Sequence, residues 1–327
     1  MTLPAGIEEF LARAGRRVAS IEPLPGDASF RRYFRIRDKE AEDGKTAMLM
    51  DAPPPEEDPG PFLDVARWLA DHGHRAPEIY AEDRQRGLVL IEDFGADRMR
   101  DWLDAHPEAE RETYARAIDA LVALHRSPAG PFAAYDMDVY QREAGLFTEW
   151  WCPAAGIDAD AAAYAAAWDE VLAGMIPRQR PGVTVLRDYH AENIMLLPGG
   201  EQGLIDFQDA LVGHTAYDLV SLLQDARRDV APQLEQAMLE HYLSQVDADE
   251  HFLADYARLG AQRNAKIVGI FTRLWKRDGK PHYLSMIPRV WEAMERDLAH
   301  PALAPVAAWF DANIPGDVRG RLGGTIG

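Results

Sequence analysis

The residues best suited to chemistry lie between Val183 and Asp209, in the stretch VTVLRDYHAENIMLLPGGEQGLIDFQD. Asp188 precedes Asn193 by five residues, and Ile205-Asp206-Phe207 follows after a glycine-containing break. Two apolar runs flank Pro198-Gly199-Gly200-Glu201, the pattern of two short strands joined by a turn. If Gly199-Gly200 forms a two-residue turn, cross-strand partners have numbers summing to 399, which sets Asn193 opposite Asp206. An amide oxygen and a carboxylate facing each other can share magnesium, whose octahedral oxygen shell is completed by phosphate oxygens and water. Asp188, on the preceding loop, is then placed to orient a hydroxyl and accept its proton without occupying the metal site. Phosphoryl transfer needs both jobs, metal-held phosphate and an oriented acceptor. A lone aspartate in a loop is more often a cap, but the DxxxxN spacing, the hairpin and the IDF stretch together favour the chemical reading. His190 is expected to order the loop through hydrogen bonding; Asp209 either caps the next segment or faces a second metal.

Positioning these residues requires a scaffold, and its pattern changes along the chain. Ile7, Phe10, Leu11 and Ala14 share a helical face. After the Pro23–Ser29 loop, Phe30, Arg32, Phe34 and Ile36 alternate with Arg31, Tyr33, Arg35 and Arg37, as in a strand. Asp43-Gly44 supplies a turn before a second strand over 46–50, so an antiparallel sheet is expected in the opening part. A helix with Phe62, Val65, Ala66 and Leu69 on one face and a buried strand over 88–91 follow, and Glu92-Asp93-Phe94-Gly95 breaks toward a connection. The rest reads as mainly helical, with segments at 108–126, 230–246, 252–276 and 283–300. His125, near the end of the first of these, is expected to be a packed or hydrogen-bonded histidine. The pattern is α+β, divided at 1–95 and 96–327.

The same scaffold offers groups for a phosphate. Gly26 removes bulk from its loop, and Ser29 with nearby backbone N–H groups can face phosphate oxygens. Arg31 and Arg35 fall on one strand face and Arg32 on the other, with guanidiniums that suit either a phosphate or a solvated surface. The GxxxxGK[ST] pattern is absent. The chain carries 54 acidic residues against 35 lysines and arginines, a formal charge of −19, which disfavours nucleic acid and anionic lipid as partners. With one cysteine, Cys152, no intrachain disulfide can form, and the start MTLPAGIEEF does not read as a signal peptide. Nothing approaches the ~20 apolar residues of a membrane helix. A cytoplasmic protein with no membrane partner is expected, and no obligate protein partner is indicated.

Asp188-Tyr189-His190-Ala191-Glu192-Asn193 with Ile205-Asp206-Phe207 resembles the catalytic segment of the aminoglycoside phosphotransferase and small-molecule kinase superfamily. Gly26 to Tyr33, Asp206 to Ala210 and Tyr217 to Leu223 resemble more closely its branch of bacterial anomeric kinases for N-acetylmuramate and N-acetylglucosamine. The resemblance implies a two-lobed protein-kinase-like fold with an antiparallel N-terminal sheet and a mainly helical C-terminal lobe. It implies ATP and Mg2+ as cofactors and transfer to the C1 hydroxyl of an amino sugar in cell-wall recycling. By the same resemblance Asp188 is the catalytic base, Asn193 and Asp206 are magnesium ligands, and Gly26 through Phe30 form the loop over the nucleotide phosphates. Asp218 is implied to support the catalytic loop through backbone hydrogen bonds. Tyr140, Glu143 and Phe147 share a helical face that Trp150 extends, and this face could line a sugar pocket or simply pack. Arg187 is a candidate for substrate contact or a structural ion pair.

Two positions depart from the wider family. Leu186 stands where many members have histidine, and the phosphate-contacting lysine of the third strand has no match in Ala47-Met48-Leu49-Met50-Asp51. Arg31, Arg32 or Arg35 are the candidates to supply that charge. The alternatives are an aminoglycoside or other small-alcohol kinase, and a nucleotide-binding pseudokinase.

Overall fold

A computed structural model describes residues 3–25, 31–38 and 46–323. Helix α1 (Ile7–Arg13) leads into strands β1 (Val18–Pro23), β2 (Arg32–Asp38) and β3 (Thr46–Asp51). Helix α2 (Gly60–Asp71) and strands β4 (Ile79–Asp83) and β5 (Leu88–Glu92) follow. The five strands form one antiparallel sheet in the order β1-β2-β3-β5-β4. Phe34 and Ile36 of β2, Ala47 and Leu49 of β3, and Leu88 and Leu90 of β5 project to one face, where they bury Ile7, Phe10 and Leu11 of α1. Alternation along each strand is what delivers one apolar face to that helix.

The chain continues with α3 (Met99–Ala105), α4 (Glu110–Arg126), α5 (Met137–Ala144), the short α6 (Cys152–Ala154) and α7 (Ala161–Ala173). Strand β6 (Val183–Val185) pairs antiparallel with β9 (Leu211–Gly213), and between them β7 (Ile194–Leu196) and β8 (Gln202–Leu204) make a hairpin. Helices α8 (Ala216–Leu223), α9 (Pro232–Leu243), α10 (Phe252–Asp278), α11 (Ile287–Leu298), α12 (Ala304–Asn313) and α13 (Gly316–Gly320) complete the described chain. Helix α10, 27 residues long, ends at Gly279 in a left-handed conformation (φ 67°), the usual helix terminator. No helix among the described residues is long and apolar enough to cross a membrane.

Contacts divide the chain into two compact units, one of residues 1–101 with 193–209 and the other of 102–192 with 210–327. The β7–β8 hairpin joins the first unit for visible reasons. Leu196 N–H donates to Asp97 C=O at 2.8 Å and Leu204 N–H to Arg75 C=O at 2.8 Å. Phe207 stacks on Phe62 of α2 with centroids 5.2 Å apart. Gly203 is obligatory here, since a Cβ would come within 2.5 Å of the Phe94 ring. In the second unit the core is aromatic, with Phe147, Trp151, Tyr164, Trp291 and Phe310 in mutual contact.

Candidate active site

The segment 186–192 leaves β6 in the second unit and turns at once. Arg187 has φ 71°, a left-handed conformation uncommon for a residue with a side chain. Two charge-assisted hydrogen bonds hold it there: Asp218 of α8 accepts from Leu186 N–H at 2.6 Å and from Arg187 N–H at 2.8 Å. Burial pushes the Asp218 carboxyl up to about 7, against the pull of those two amides and of Arg263. Further along, Asp225 accepts from Ala191 N–H at 3.2 Å and Arg227 N–H at 2.8 Å, and the Tyr189 hydroxyl donates to Ala117 C=O at 2.7 Å. Leu186 is buried, as packing in place of a histidine requires. His190 is also buried, with Nε2 3.3 Å from Arg227 Nη1. While its neighbours are pinned, the Asp188 side chain remains 46% exposed.

Cations gather around this carboxylate. Arg263 of α10 places Nη2 4.0 Å from Asp188 Oδ1 and donates to Ser221 Oγ at 2.7 Å. One turn on, Lys266 Nζ is 3.0 Å from Glu143 Oε1 and donates to the Tyr217 hydroxyl at 3.2 Å. Glu143 also pairs with Arg187 and accepts from the Tyr135 hydroxyl. Desolvation works to raise the Asp188 pKa, but Lys266, His190, Arg263 and Arg187 outweigh it and hold the group below its ordinary value. For Glu143 burial likewise pushes up, and Lys266, Arg187 and Tyr135 bring it down. Both carboxylates are therefore ionised at neutral pH.

Glu143 and Arg187, two of the four expected acceptor-pocket residues, thus meet as an ion pair with each other. Phe147 requires a correction. Its side chain is fully buried, stacked on Trp151 at 4.9 Å and packed on Phe310 at 5.2 Å, so it belongs to the core. The physical reason is that the whole shared face turns inward, with Tyr140 and Glu143 buried along with Phe147. Trp151, four residues on from Phe147, falls on the same buried face, and Trp150 is half-buried.

The hairpin of the first unit also departs from the expected register. Ile194 pairs with Leu204, Met195 with Gly203 and Leu196 with Gln202, so partners sum to 398. Pro198–Gly200 forms a 3-10 turn with Gly199 and Gly200 at φ 86° and 87°, one residue more than a two-residue turn holds. Asn193 consequently faces Ile205, whose N–H donates to Asn193 C=O at 3.1 Å. The two side chains meet nonetheless, because Asp206 is left-handed (φ 61°) and its carboxylate swings back to accept from Asn193 Nδ2 at 3.4 Å. Gln208 Nε2 donates to the other Asp206 oxygen at 3.1 Å. Rotating the Asn193 amide by half a turn exchanges its donor for its acceptor oxygen. The pair then fits magnesium, which takes one or two protein oxygens and fills its shell with phosphate and water. Among the described residues no group of three or more His, Cys, Asp or Glu is arranged to hold a metal.

The strand arginines have different surroundings. Arg32 pairs with Asp51, at 2.8 Å through Nε, and its guanidinium carbon lies 5.9 Å from the Phe34 ring centre. Arg35 grips Asp93 with two nitrogens, at 2.6 and 3.1 Å, and also donates to Gly95 C=O at 3.0 Å. Arg31 lies 3.3 Å from Glu57. It shares a neighbourhood with Asp206, since both act on the Tyr33 hydroxyl, which burial pushes up to about 12. Gly26, Ser29 and Phe30 lie outside the described residues.

The profile of the phosphotransferase enzyme family matches residues 20–260. The chain belongs to this family. Among its curated relatives, an N-acetylmuramate/N-acetylglucosamine kinase of Caulobacter vibrioides is 36% identical, with 95% of this chain and 96% of the relative covered. One of the same name from Pseudomonas aeruginosa is 36% identical, with 91% and 90% covered. A solved choline kinase from Streptococcus pneumoniae superposes with a TM-score of 0.62 at 15% identity, covering 92% of this chain and 98% of that one. An ADP-bound aminoglycoside phosphotransferase gives 0.60 at 14% identity, covering 90% and 97%. These likenesses show the protein-kinase-like fold, an antiparallel N-terminal sheet followed by a mainly helical part.

Arg263 and Lys266 were not singled out in the sequence, although α10 carries a signal. Its buried stripe Phe252, Tyr256, Leu259, Ile267, Phe271 and Leu274 runs at helical spacing, and Arg263 occupies the one step of that stripe that is charged. A guanidinium on an apolar face requires a partner.

Proposed function

We propose that this member of the phosphotransferase family transfers the γ-phosphoryl group of ATP to the anomeric C1 hydroxyl of N-acetylmuramate and N-acetylglucosamine, in the recycling of cell-wall sugars. The observation that carries the phosphoryl-transfer reading is Asp188 itself. It is an exposed carboxylate beside a left-handed residue whose backbone is clamped by buried Asp218. Strained backbone held by its surroundings is a mark of functional positions, and Asp206 is a second left-handed residue within the stretch 183–209. Relatives named for amino-sugar kinases, matched over nearly their whole length, support the acceptor class.

In this reading Asp188 orients the C1 hydroxyl and accepts its proton as the phosphoryl group moves. Asn193 and Asp206 would hold magnesium, which when bound supplies charge neutralisation for the phosphates. Arg31, just before β2 and paired with Glu57, is the arginine we assign to the donor phosphates in place of the missing lysine. Arg32 and Arg35, engaged with Asp51 and Asp93, are assigned to holding the sheet and its exit. Gly26, Ser29 and Phe30 remain proposed for the phosphate loop, and Trp150 for the sugar's apolar face. Residues 1–95 would serve the nucleotide and 96–327 catalysis and the acceptor, with the 193–209 hairpin supplying the metal ligands.

Incubation with ATP and magnesium, across a panel of amino sugars and aminoglycosides, tests this. Phosphorus–proton coupling in the product NMR should link the new phosphate to the anomeric proton of both amino sugars. Phosphate on another carbon refutes the C1 assignment, transfer to aminoglycosides alone refutes the acceptor class, and absence of transfer to any acceptor favours a pseudokinase.

A further inference from the structure

The two acceptors in the proposed function differ by one group. N-acetylmuramate carries a lactyl ether, ionised at neutral pH, on the ring carbon next but one to C1, where N-acetylglucosamine has a hydroxyl. A chain with a net charge of −19 that takes the anionic sugar needs a cation to one side of the reacting hydroxyl, with hydrogen-bond donors left over. Arg187, Arg227, Arg263 and Lys266 all act on Asp188, but they are not equally placed to meet a ligand. Arg263 and Lys266 are 3% and 11% exposed and are committed to Ser221 and to Glu143 with Tyr217. Arg187 turns Nη2 inward to the same buried Glu143. Arg227, in the loop after α8, is 24% exposed.

The setting of Arg227 is built before any ligand arrives. Its backbone N–H donates to the buried Asp225 at 2.8 Å, and the other oxygen of Asp225 accepts from Ala191 N–H at 3.2 Å, which braces this loop against the 186–192 segment. Its Nε lies 2.8 Å from Glu192 Oε2, and its Nη1 lies 3.3 Å from Nε2 of the buried His190. A guanidinium only donates, so His190 accepts through Nε2 and its ring is neutral. Burial and the Arg227 charge both work to lower the His190 pKa. Against burial, Glu192 and Asp188 hold Arg227 charged. Nη2 has no hydrogen-bond partner among the described residues and is not a buried nitrogen, so its donors open to solvent.

We propose that Arg227 is a specificity-determining residue whose Nη2 edge binds the lactyl carboxylate of N-acetylmuramate. The proposal rests on the reading of the protein as a kinase of these two sugars. A guanidinium already fixed through Nε and Nη1 gives up little freedom on binding, and its fork matches a carboxylate. N-acetylglucosamine leaves the same edge to water.

Kinetics with both sugars, and with N-acetylmuramate amidated at its lactyl carboxylate, test this. In the wild type, neutralising the carboxylate should raise KM by about tenfold to a hundredfold and change kcat by less than about threefold, since the group is remote from the reacting oxygen. Arg227→Met should raise KM for N-acetylmuramate by a similar factor and change kcat/KM for N-acetylglucosamine by less than about threefold. It should also treat acid and amide alike, because the partner of the carboxylate is gone. Arg227→Lys, which keeps the charge without the fork, should fall between wild type and Arg227→Met. Equal losses on both sugars in Arg227→Met overturn the proposal, because a general structural role does not distinguish acceptors. So does a variant that still prefers acid to amide, or a wild type that does not. If Arg227→Met does not fold, a wild-type acid-to-amide ratio in Arg227→Lys overturns it equally. Failure of the wild type to phosphorylate either sugar is a separate result, and sinks the acceptor reading beneath the proposal.

Discussion

Asp188, in the second unit, is fixed by residues far along the chain: Asp218 and Ser221 on α8, Arg263 and Lys266 on α10 and, through Arg187, Glu143 on α5. Asp206, in the first unit, is fixed by its own hairpin, with Asn193 across from it, Gln208 two residues on and a left-handed backbone between. The first carboxylate sits among buried charges whose desolvation must be offset by partners present in the fold at all times. The second lies in an exposed residue held by its own hairpin. A proton acceptor has to be aimed before substrate binds, so it needs a rigid and costly setting. In the role proposed for it, Asp206 would complete a metal shell filled by phosphate and water, for which a short hairpin suffices.

The contrast can be broken most directly at Asp188. Asp188→Asn should lower kcat by about a thousandfold while nucleotide affinity, read by titration, stays within about twofold. A parallel loss of nucleotide affinity would erase the division of labour. Asp206→Ala should instead reduce magnesium-dependent nucleotide binding and kcat/KM together, by about a hundredfold, with little change in the thermal midpoint. Unchanged nucleotide affinity in magnesium titrations would remove Asp206 from the metal site. Asp218→Ala sharpens the comparison from the side of stability. It strands two buried N–H groups and should cost roughly 2–4 kcal/mol in urea unfolding, with about a tenfold loss in kcat. An equal stability cost for Asp206→Ala would contradict a local, exposed setting for that residue.

The smallest effect concerns His125, a half-buried histidine at the end of α4. Burial, with a contribution from His214, lowers its pKa from 6.5 to about 3, and its Nδ1 lies 2.8 Å from the Tyr242 hydroxyl. Below pH 6.5 the unfolded chain takes up a proton that the folded chain refuses, so this stabilisation is present above 6.5 and is lost as pH falls toward 3. Compared with His125→Gln, the wild type should lose about 2 kcal/mol between pH 6.5 and 5 in chemical denaturation. Identical pH slopes in the two proteins would place the histidine in a solvated setting.

Much of the scaffold can be read without coordinates, and the misses have identifiable causes. Helices α1, α2, α4 and α10 and strands β2, β3 and β5 announce themselves through apolar periodicity. Strands β1 and β4 do not, because β1 has no fully buried position and β4 alternates between half-buried and exposed residues, leaving no apolar run to recognise. The hairpin was visible in its two apolar runs and its glycines, but the register was not, since Pro198-Gly199-Gly200 admits turns of two or three residues. Phe147 looked like part of a pocket because helical spacing groups it with Tyr140 and Glu143 without saying whether their shared face meets a ligand or the core.

What the sequence by itself determined is the local chemistry: an aspartate five residues before an asparagine, and an aspartate just after the return strand. These lie close along the chain, where spacing and turn length constrain geometry. Only the tertiary structure decided what surrounds Asp188. Arg263, Lys266 and Glu143 are separated from it by up to 78 residues (266 minus 188). No periodicity in sequence says which buried cation on a long helix will face which loop, because that choice is made by how helices α5, α8 and α10 pack.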